Sequence, residues 1–288
     1  MLGSTNGVRL PRRGLRLPDP APDPASNPDS RAEFERLAAL ARLAEASGFD
    51  SVWVTDHAGA VPNQPGGFEL LFEAYSLLGA LAIRTDSVGL GVVPRGPTVR
   101  SPSMVAKIVT GVDVISHGRA LLSLGLDAGG GPEPVDRLGE ELEVCRALLT
   151  DDAPSFDGRF YRLDHAPNRP RPVRAGGIPL LVVADDPAVA EAAAGGADAV
   201  VMGGEATEVE AMVAALDREC EAGGRDRGEV GVIWIGAVDG DPDRLSSHVR
   251  ALAEIGAAGC VVSVEDGYDA AAVAAAGKAL SAAAFGER

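Results

Sequence analysis

An aspartate and a histidine stand side by side where a predicted strand ends. Asp56 and His57 follow the apolar run Ser51–Thr55, and in alternating β/α proteins the reactive groups collect at the carboxyl ends of strands. An imidazole exchanges a proton near neutral pH, and a carboxylate can orient its partner. The pair therefore indicates acid–base chemistry with His57 as the acid or base. The alternative is an exposed loop pair without a role.

The other reactive side chains show no comparable grouping. Cys145, Cys220 and Cys260 are far apart, no Cys-x-x-Cys pair is present, and the four histidines are scattered. This spacing predicts reduced thiols and no metal site. Residues 1–30 lack the apolar core of a signal peptide, and the chain has no run of about 18 apolar residues. We therefore expect a cytoplasmic protein without membrane contact.

Composition limits the partners. The chain has 288 residues, a net charge of −16 and 4% aromatic residues. Nucleic acid is not expected as a partner, because an acidic surface repels phosphate backbones and few rings are present for base stacking. An anionic cofactor must find local positive potential against this overall field.

Two kinds of apolar pattern alternate from Ser30 onward. Short continuous apolar runs, typical of strands buried on both faces, alternate with stretches of helical spacing. Seven strands are predicted, at 51–55, 87–93, 120–124, 178–183, 199–202, 230–238 and 260–264. A first strand within Gly7–Leu17, where Pro11 and two arginines interrupt the apolar pattern, would make eight. Eight repeats favour a (β/α)8 barrel over a doubly wound sheet, because no Gly-x-Gly-x-x-Gly follows the first strand.

Two segments interrupt the alternation. Residues 1–30 combine this first strand with a Pro/Asp-rich stretch that predicts a loop without regular structure. Asp157–Gly158, near the middle of 155–163, predicts a hairpin inserted after the fourth helix. We therefore expect an N-terminal segment, 1–30, followed by one barrel domain, 31–288.

Three blocks of the sequence resemble one superfamily. Ala44–His57, Val88–Leu126 and Arg137–Leu163 resemble successive blocks of luciferase-like monooxygenases and F420-dependent oxidoreductases. The matching positions in the second block are Arg100, Pro102, Ala106, Lys107, Asp113, Ser116, Gly118, Arg119, Leu124 and Gly125. In this block we expect Gly118 to cap a helix and Arg119 to pair with a carboxylate on the barrel's other face.

The resemblance implies a barrel that uses F420 or FMN on a small organic substrate. It implies that Asp56 and His57 approach the pyrimidine side of the cofactor ring, with Asp56 contacting the ring or orienting a partner. Gly91, Val92 and Val93 would lie behind the ring, where the family often has a non-proline cis peptide after the position of Gly91. Tight packing around Gly91 is the alternative. We also expect a homodimer, since apolar helical faces would support dimerisation.

The resemblance weakens where the cofactor phosphate would bind. Asp127 replaces a glycine after the fourth strand, and Ala184-Asp185-Asp186 replaces a glycine-rich turn after the fifth. Carboxylates there oppose an anion unless a cation intervenes. Gly203 and Gly204, before the next helix, would hold a phosphate or form a plain turn. We expect weak binding of phosphorylated cofactors unless Gly203–Gly204 or Arg95 compensates.

These departures leave three functions open. The first is a working oxidoreductase that transfers hydride to or from a small substrate. The second is a cofactor-binding member without catalysis, whose phosphate site is degraded. The third is a barrel kept as an assembly subunit.

Overall fold

Strands and helices alternate along the chain, as the apolar pattern predicts. The computed structural model describes residues 10–19, 29–57, 72–95, 100–126, 133–174, 176–238, 241–264, 268–283 and 285. The strands are β1 (Arg13–Arg16), β2 (Ser51–His57), β3 (Gly89–Arg95), β4 (Leu122–Gly125), β5 (Phe156–Asp157), β6 (Arg162–Leu163), β7 (Leu180–Val183), β8 (Ala199–Met202), β9 (Gly231–Val238) and β10 (Gly259–Val264). The α-helices are α1 (Ser30–Ala46), α2 (Ala74–Ala82), α3 (Pro102–Ile115), α4 (Glu133–Thr150), α5 (Ala190–Gly196), α6 (Ala206–Gly223), α7 (Pro242–Glu254) and α8 (Ala270–Ala282).

Eight parallel strands form one ring. The sheet order is β3-β2-β1-β10-β9-β8-β7-β4, so the first strand is present and pairs on both sides. A bridge between Leu90 and Ala120 joins β3 to the residues just before β4. There the Leu90 N–H donates to the Arg119 carbonyl at 2.9 Å, and the Leu121 N–H donates to the Leu90 carbonyl at 2.9 Å. This closure confirms the (β/α)8 barrel and excludes the doubly wound sheet.

Side chains along each strand alternate between two apolar cores. Val52 and Val54 of β2 lie in the larger core, between the sheet and the helices. Trp53 lies in the smaller core, inside the barrel. Alternation follows from the two-residue repeat of a strand. The buried members of the inner core are Trp53, Val93, Leu121, Leu181, Ala199, Val201, Ile233 and Val261.

Glycines make room for the Trp53 ring inside the barrel. A Cβ atom on Gly91 would lie 2.5 Å from Cε3 of Trp53, and one on Gly14 would lie 2.7 Å from its Nε1. The Gly91–Val92 bond is trans, since the cis bond found among the described residues joins Arg169 to Pro170. The cis peptide expected after Gly91 is therefore wrong, and tight packing explains this glycine.

The hairpin predicted after α4 is present. β5 and β6 pair antiparallel. The carboxylate of Glu140 in α4 accepts hydrogen bonds from the N–H groups of Arg159, Phe160 and Tyr161 at 2.6, 2.8 and 3.0 Å. One helix side chain therefore fixes the turn of the inserted hairpin. The expected boundary at residue 30 stays a prediction.

Arg119 lies at the amino end of the barrel strands, where its guanidinium binds backbone carbonyls. It donates to the carbonyls of Ala82, Val88 and Thr85 at 2.7, 2.8 and 3.0 Å. Within the described ranges no carboxylate forms a salt bridge with it, so the expected carboxylate partner is wrong. The last residue of α2 and the segment that follows it supply the carbonyl acceptors of the guanidinium. Arg119 thereby ties α2 to the start of β3.

The thiols of this chain are not linked to one another in the described structure. All three cysteines are buried and free. The described part of the chain contains no group of three or more His, Cys, Asp or Glu side chains suited to a metal ion. In that same part, no helix has the length and apolar character needed to cross a membrane.

Candidate functional site at the mouth of the barrel

The carboxyl ends of the parallel strands lie together at one end of the barrel, which we call the mouth. His57 is the last residue of β2, and the register places it beside Arg95 at the end of β3. Ala184 follows β7, and Gly203 and Gly204 follow β8. The barrel therefore brings these predicted residues to one end of the molecule, although they are far apart in sequence.

Asp56 forms an ion pair. Its Oδ2 atom lies 2.6 Å from Nη1 of Arg100, and the two side chains are 15% and 22% exposed. Val52 and Val54, which share the same side of β2, pack toward the helices. The Asp56 side chain therefore points toward the helical layer. Its expected role at the cofactor ring stays a prediction.

Arg100 connects the end of β2 to the beginnings of two helices. Its Nη2 atom lies 2.8 Å from Oε1 of Glu73, the residue that caps α2. Burial works to raise the pKa of the Glu73 carboxyl. Hydrogen bonds from Ser76 and Tyr75 and the charge of Arg100 outweigh that effect, so the pKa is lowered. Glu73 is thus ionised at neutral pH, and the cluster stays paired.

Four polar side chains line the inner wall below the mouth. Thr55 and Ser123 are each 3% exposed, and within the described residues their hydroxyl oxygens have no hydrogen-bond partner. Both lie two residues beyond members of the inner core, so both face the barrel interior. Nearby on the wall, Nη2 of Arg16 donates to Oγ of Ser263 at 3.2 Å. Buried hydroxyls without partners cost about 1–3 kcal/mol each, so they fit a wall that meets a polar ligand.

Sequence reasoning did not single out any of these four residues. The available signal is a polar residue at an inward position of an otherwise apolar strand, as in Leu122–Gly125. This pattern predicts a wall residue only when it is known which side chains of the strand face the barrel interior.

The turn after β7 uses its two carboxylates as hydrogen-bond acceptors. Oδ1 of Asp185 accepts from the N–H of Gly203 at 2.7 Å. Oδ1 of Asp186 accepts from the N–H of Ala188 at 2.9 Å and so caps the 3-10 turn Pro187–Val189. The acidic replacements in this turn therefore bind the protein's own backbone amides.

The turn after β8 is closed in a similar way. Gly204 has a φ of +92°, and a Cβ atom at this position would collide with the Glu208 carboxylate. Oε2 of Glu208 accepts from the N–H of Glu205 at 2.7 Å. Nε1 of Trp234 donates to the Gly204 carbonyl at 2.9 Å, which fixes the turn. The amides of Gly203 and Glu205 are thus both bonded to carboxylates.

The other predicted cofactor contacts differ in position. Val93 is 5% exposed and lies in the inner core, which also contains Trp53. Val92 is 1% exposed and packs toward the helices, so its side chain does not line the barrel interior. Ala184 donates its N–H to the Val201 carbonyl at 3.1 Å and packs on the helical side. Asp127 lies outside the described residues.

Comparisons with known proteins agree on one group. A family model described as luciferase-like monooxygenase matches residues 17–283. The 5,10-methylenetetrahydromethanopterin reductase of Methanolobus tindarius is 29% identical over 264 residues, which cover 87% of this chain and 77% of that protein. The F420-dependent glucose-6-phosphate dehydrogenase of Intrasporangium calvum is 31% identical over 227 residues, covering 72% and 66%. The solved structure of coenzyme F420-dependent tetrahydromethanopterin reductase from Methanopyrus kandleri superposes on this chain with a TM-score of 0.73 at 18% sequence identity. The superposition covers 93% of this chain and 97% of the reductase chain, so the two proteins share a fold.

Proposed function

We propose that this chain, which belongs to the luciferase-like monooxygenase family, is an oxidoreductase that transfers hydride between a deazaflavin or flavin cofactor and a small organic substrate. The cofactor is of the F420 type or the FMN type. The relatives named above are a reductase and an F420-dependent dehydrogenase. Their names favour catalysis over the cofactor-binding and assembly alternatives. The homodimer stays a prediction.

The polar inner wall is the observation that carries this proposal. Thr55 and Ser123 place unpaired, buried hydroxyls inside the barrel, and Arg16 adds a cation to the same wall. Hydroxyls and a guanidinium suit the polar edge of an isoalloxazine or deazaflavin ring, because that edge carries carbonyl and nitrogen acceptors. When bound, the reduced cofactor supplies the hydride, while the protein binds and orients the reactants.

Three further residues have proposed roles at the mouth. His57 would hold or release a proton, since a histidine side chain is a common general acid or base in enzymes. Asp56, held by Arg100, would fix the strand end that carries His57.

Ligand binding tests the proposed function. Purified protein is titrated with F420, FMN, 8-hydroxy-5-deazariboflavin and riboflavin, and binding is followed by absorbance and fluorescence. We expect at least one of these ligands to bind in the micromolar range. Failure of all four to bind would contradict the proposed function.

A pair of matched variants locates the binding. Thr55→Val removes the inward hydroxyl with little change of shape, and we expect about tenfold weaker binding, equal to about 1.4 kcal/mol. Thr150→Val makes the same chemical change at an exposed position on α4, so we expect no change in affinity. Equal affinities of the two variants would remove the inner wall from the site.

A further inference from the structure

The glycine turn after β8 is where the mouth would bind an anion. Barrels of this kind bind phosphate groups with the backbone amides of βα loops and helix N-termini at the carboxyl end of the strands. Gly203 and Gly204 begin such a turn, directly before the 18-residue helix α6. A free amide at Gly203 would be a suitable donor for a phosphate oxygen.

That donor is already used. Oδ1 of Asp185 accepts from the Gly203 N–H at 2.7 Å, and Oε2 of Glu208 accepts from the Glu205 N–H at 2.7 Å. A carboxylate has the same sign of charge and the same acceptor chemistry as a phosphate. Asp185 therefore occupies the position of the anion with a group that belongs to the protein.

The surroundings of Asp185 are acidic and exposed. Asp186 is its neighbour in sequence, and Glu205 and Glu208 begin the facing helix; all four side chains belong to exposed residues. None of the four forms a salt bridge with a described cation, so nothing in that part of the chain neutralises them. A phosphate placed here would meet like charges on several sides. The residues on this side of the mouth do not fit a phosphorylated cofactor.

An alcohol fits where a phosphate does not. Oδ2 of Asp185 makes no hydrogen bond with any described residue, and a carboxylate oxygen accepts hydrogen bonds but donates none. A hydroxyl at the end of a ribityl chain can donate to it, whereas an ionised phosphate ester cannot. The buried hydroxyls of Thr55 and Ser123 on the inner wall are an independent sign that the same mouth takes a polar ligand.

We propose that this chain binds a flavin or deazaflavin in its dephosphorylated form, a riboflavin-type ligand with an uncharged ribityl end, and that Asp185 rejects the phosphorylated form. This inference rests on the proposed function, because it specifies the ligand of the same site. It predicts a preference opposite to that of a site whose glycine amides are free to bind phosphate.

Paired ligands test the proposal directly. Affinities are measured by fluorescence titration for riboflavin and FMN, and for 8-hydroxy-5-deazariboflavin and F420. In wild type we expect the dephosphorylated member of at least one pair to bind tenfold or more tightly than its phosphorylated partner. Equal or tighter binding of the phosphorylated member in every pair that binds would overturn this inference and leave the proposed function standing. If none of the four ligands binds, the proposed function falls as well.

Three variants assign the preference to one side chain. Asp185→Asn removes the charge but keeps an oxygen that accepts from Gly203, and Asp185→Gly frees the amide. We expect both to strengthen binding of the phosphorylated ligand at least tenfold and to weaken binding of the dephosphorylated one, because its terminal hydroxyl loses the charged acceptor at Oδ2. Asp269→Asn makes the same change at the cap of α8, at the same end of the barrel, and should leave the ratio unaltered. An unchanged ratio in both Asp185 variants would overturn the role of Asp185.

Salt separates repulsion from steric exclusion. The distance over which charges act falls from about 30 Å at 0.01 M to about 3 Å at 1 M ionic strength. The preference of wild type for the dephosphorylated ligand should therefore shrink as salt is added. A preference that does not change with salt would overturn the electrostatic explanation.

Discussion

Among single residues, Arg100 sets the geometry at the end of β2. It bridges Asp56 and Glu73, and its ion pair with Asp56 is mostly shielded from water. A shielded pair holds its partners more firmly than an exposed one, because loss of either charge leaves the other unpaired. Since Asp56 directly precedes His57, Arg100 fixes the backbone that carries the proposed acid or base.

His57 is the residue whose replacement should affect chemistry without affecting the fold. We expect His57→Asn to lower kcat at least 100-fold, within the usual contribution of about 10²–10⁴ from acid–base catalysis. The thermal unfolding midpoint should stay close to that of wild type. The measurements are cofactor oxidation during turnover and a thermal melt followed by circular dichroism.

A second histidine provides the control for this variant. His165 is 83% exposed on its side chain and lies beyond the hairpin. His165→Asn should therefore leave kcat unchanged. Turnover by His57→Asn at the wild-type rate would remove His57 from the mechanism and leave the proposed binding site untouched.

Among the elements, β3 depends on a glycine that gives space to a ring. The Cβ atom added by Gly91→Ala would meet the buried ring of Trp53, and overpacking of this kind costs about 1–3 kcal/mol. Gly111→Ala is the matched control, because a Cβ atom there meets nothing within 4 Å in the middle of α3. Replacing a helical glycine by alanine should stabilise the protein by up to about 1 kcal/mol.

Urea unfolding distinguishes the two glycine variants. We expect the midpoint of Gly91→Ala to fall and that of Gly111→Ala to stay or rise. A midpoint for Gly91→Ala equal to that of wild type would mean that Trp53 can move aside, and the packing explanation for this glycine would be wrong.

The first strand shows why the sequence pattern predicts some elements only weakly. Pro11 and two arginines make the run before Gly14 look unlike a buried strand. In the fold, the Asp50 carboxylate accepts from the backbone N–H groups of Arg12 and Arg13 at 3.2 and 3.0 Å. A residue almost forty positions away thus fixes the entry of β1. The seven other strands were predictable because their continuous apolar runs need no such partner.

The candidate site was predictable only in part for the same reason. Asp56 and His57 stand together in the chain, and the acidic residues Asp185 and Asp186 were visible as departures from a glycine-rich turn. The hydrogen bond from Gly203 to Asp185 was not visible, because it joins two turns that meet only when β7 and β8 pair. Likewise, Thr55 and Ser123 become inner-wall residues only when the ring closes.

At the scale of the whole molecule, the distribution of charge determines which ligands can approach the mouth. The chain carries a net charge of −16, and its overall field disfavours the approach of anions. Arg16 places one cation on the inner wall, while the acidic turns after β7 and β8 lie at the rim. A neutral ligand therefore meets less electrostatic repulsion at this mouth than an anionic one of the same shape.

Neighbouring strands of the ring differ in the number of backbone pairs that join them. β9 and β10 are paired at six positions, whereas a bridge at Leu90 and Ala120 joins β3 to the chain entering β4. Local opening begins where the fewest backbone hydrogen bonds must break. Hydrogen–deuterium exchange should therefore label the amides of Leu90 and Leu121, which bond across this seam, before those of segments 231–238 and 259–264. Equal labelling of all four would show that the barrel opens as one cooperative unit.

The two ends of this weak seam between β3 and β4 differ. Arg119 binds the carbonyls of Ala82, Thr85 and Val88, so the seam is anchored at the end of the barrel opposite the mouth. A transient gap between β3 and β4 would then open sideways beside Val93 and Ser123. Because α3 connects β3 to β4 and its buried side chains share the outer core with both strands, such a gap would loosen the inner wall around Ser123 without opening a second entrance for the ligand.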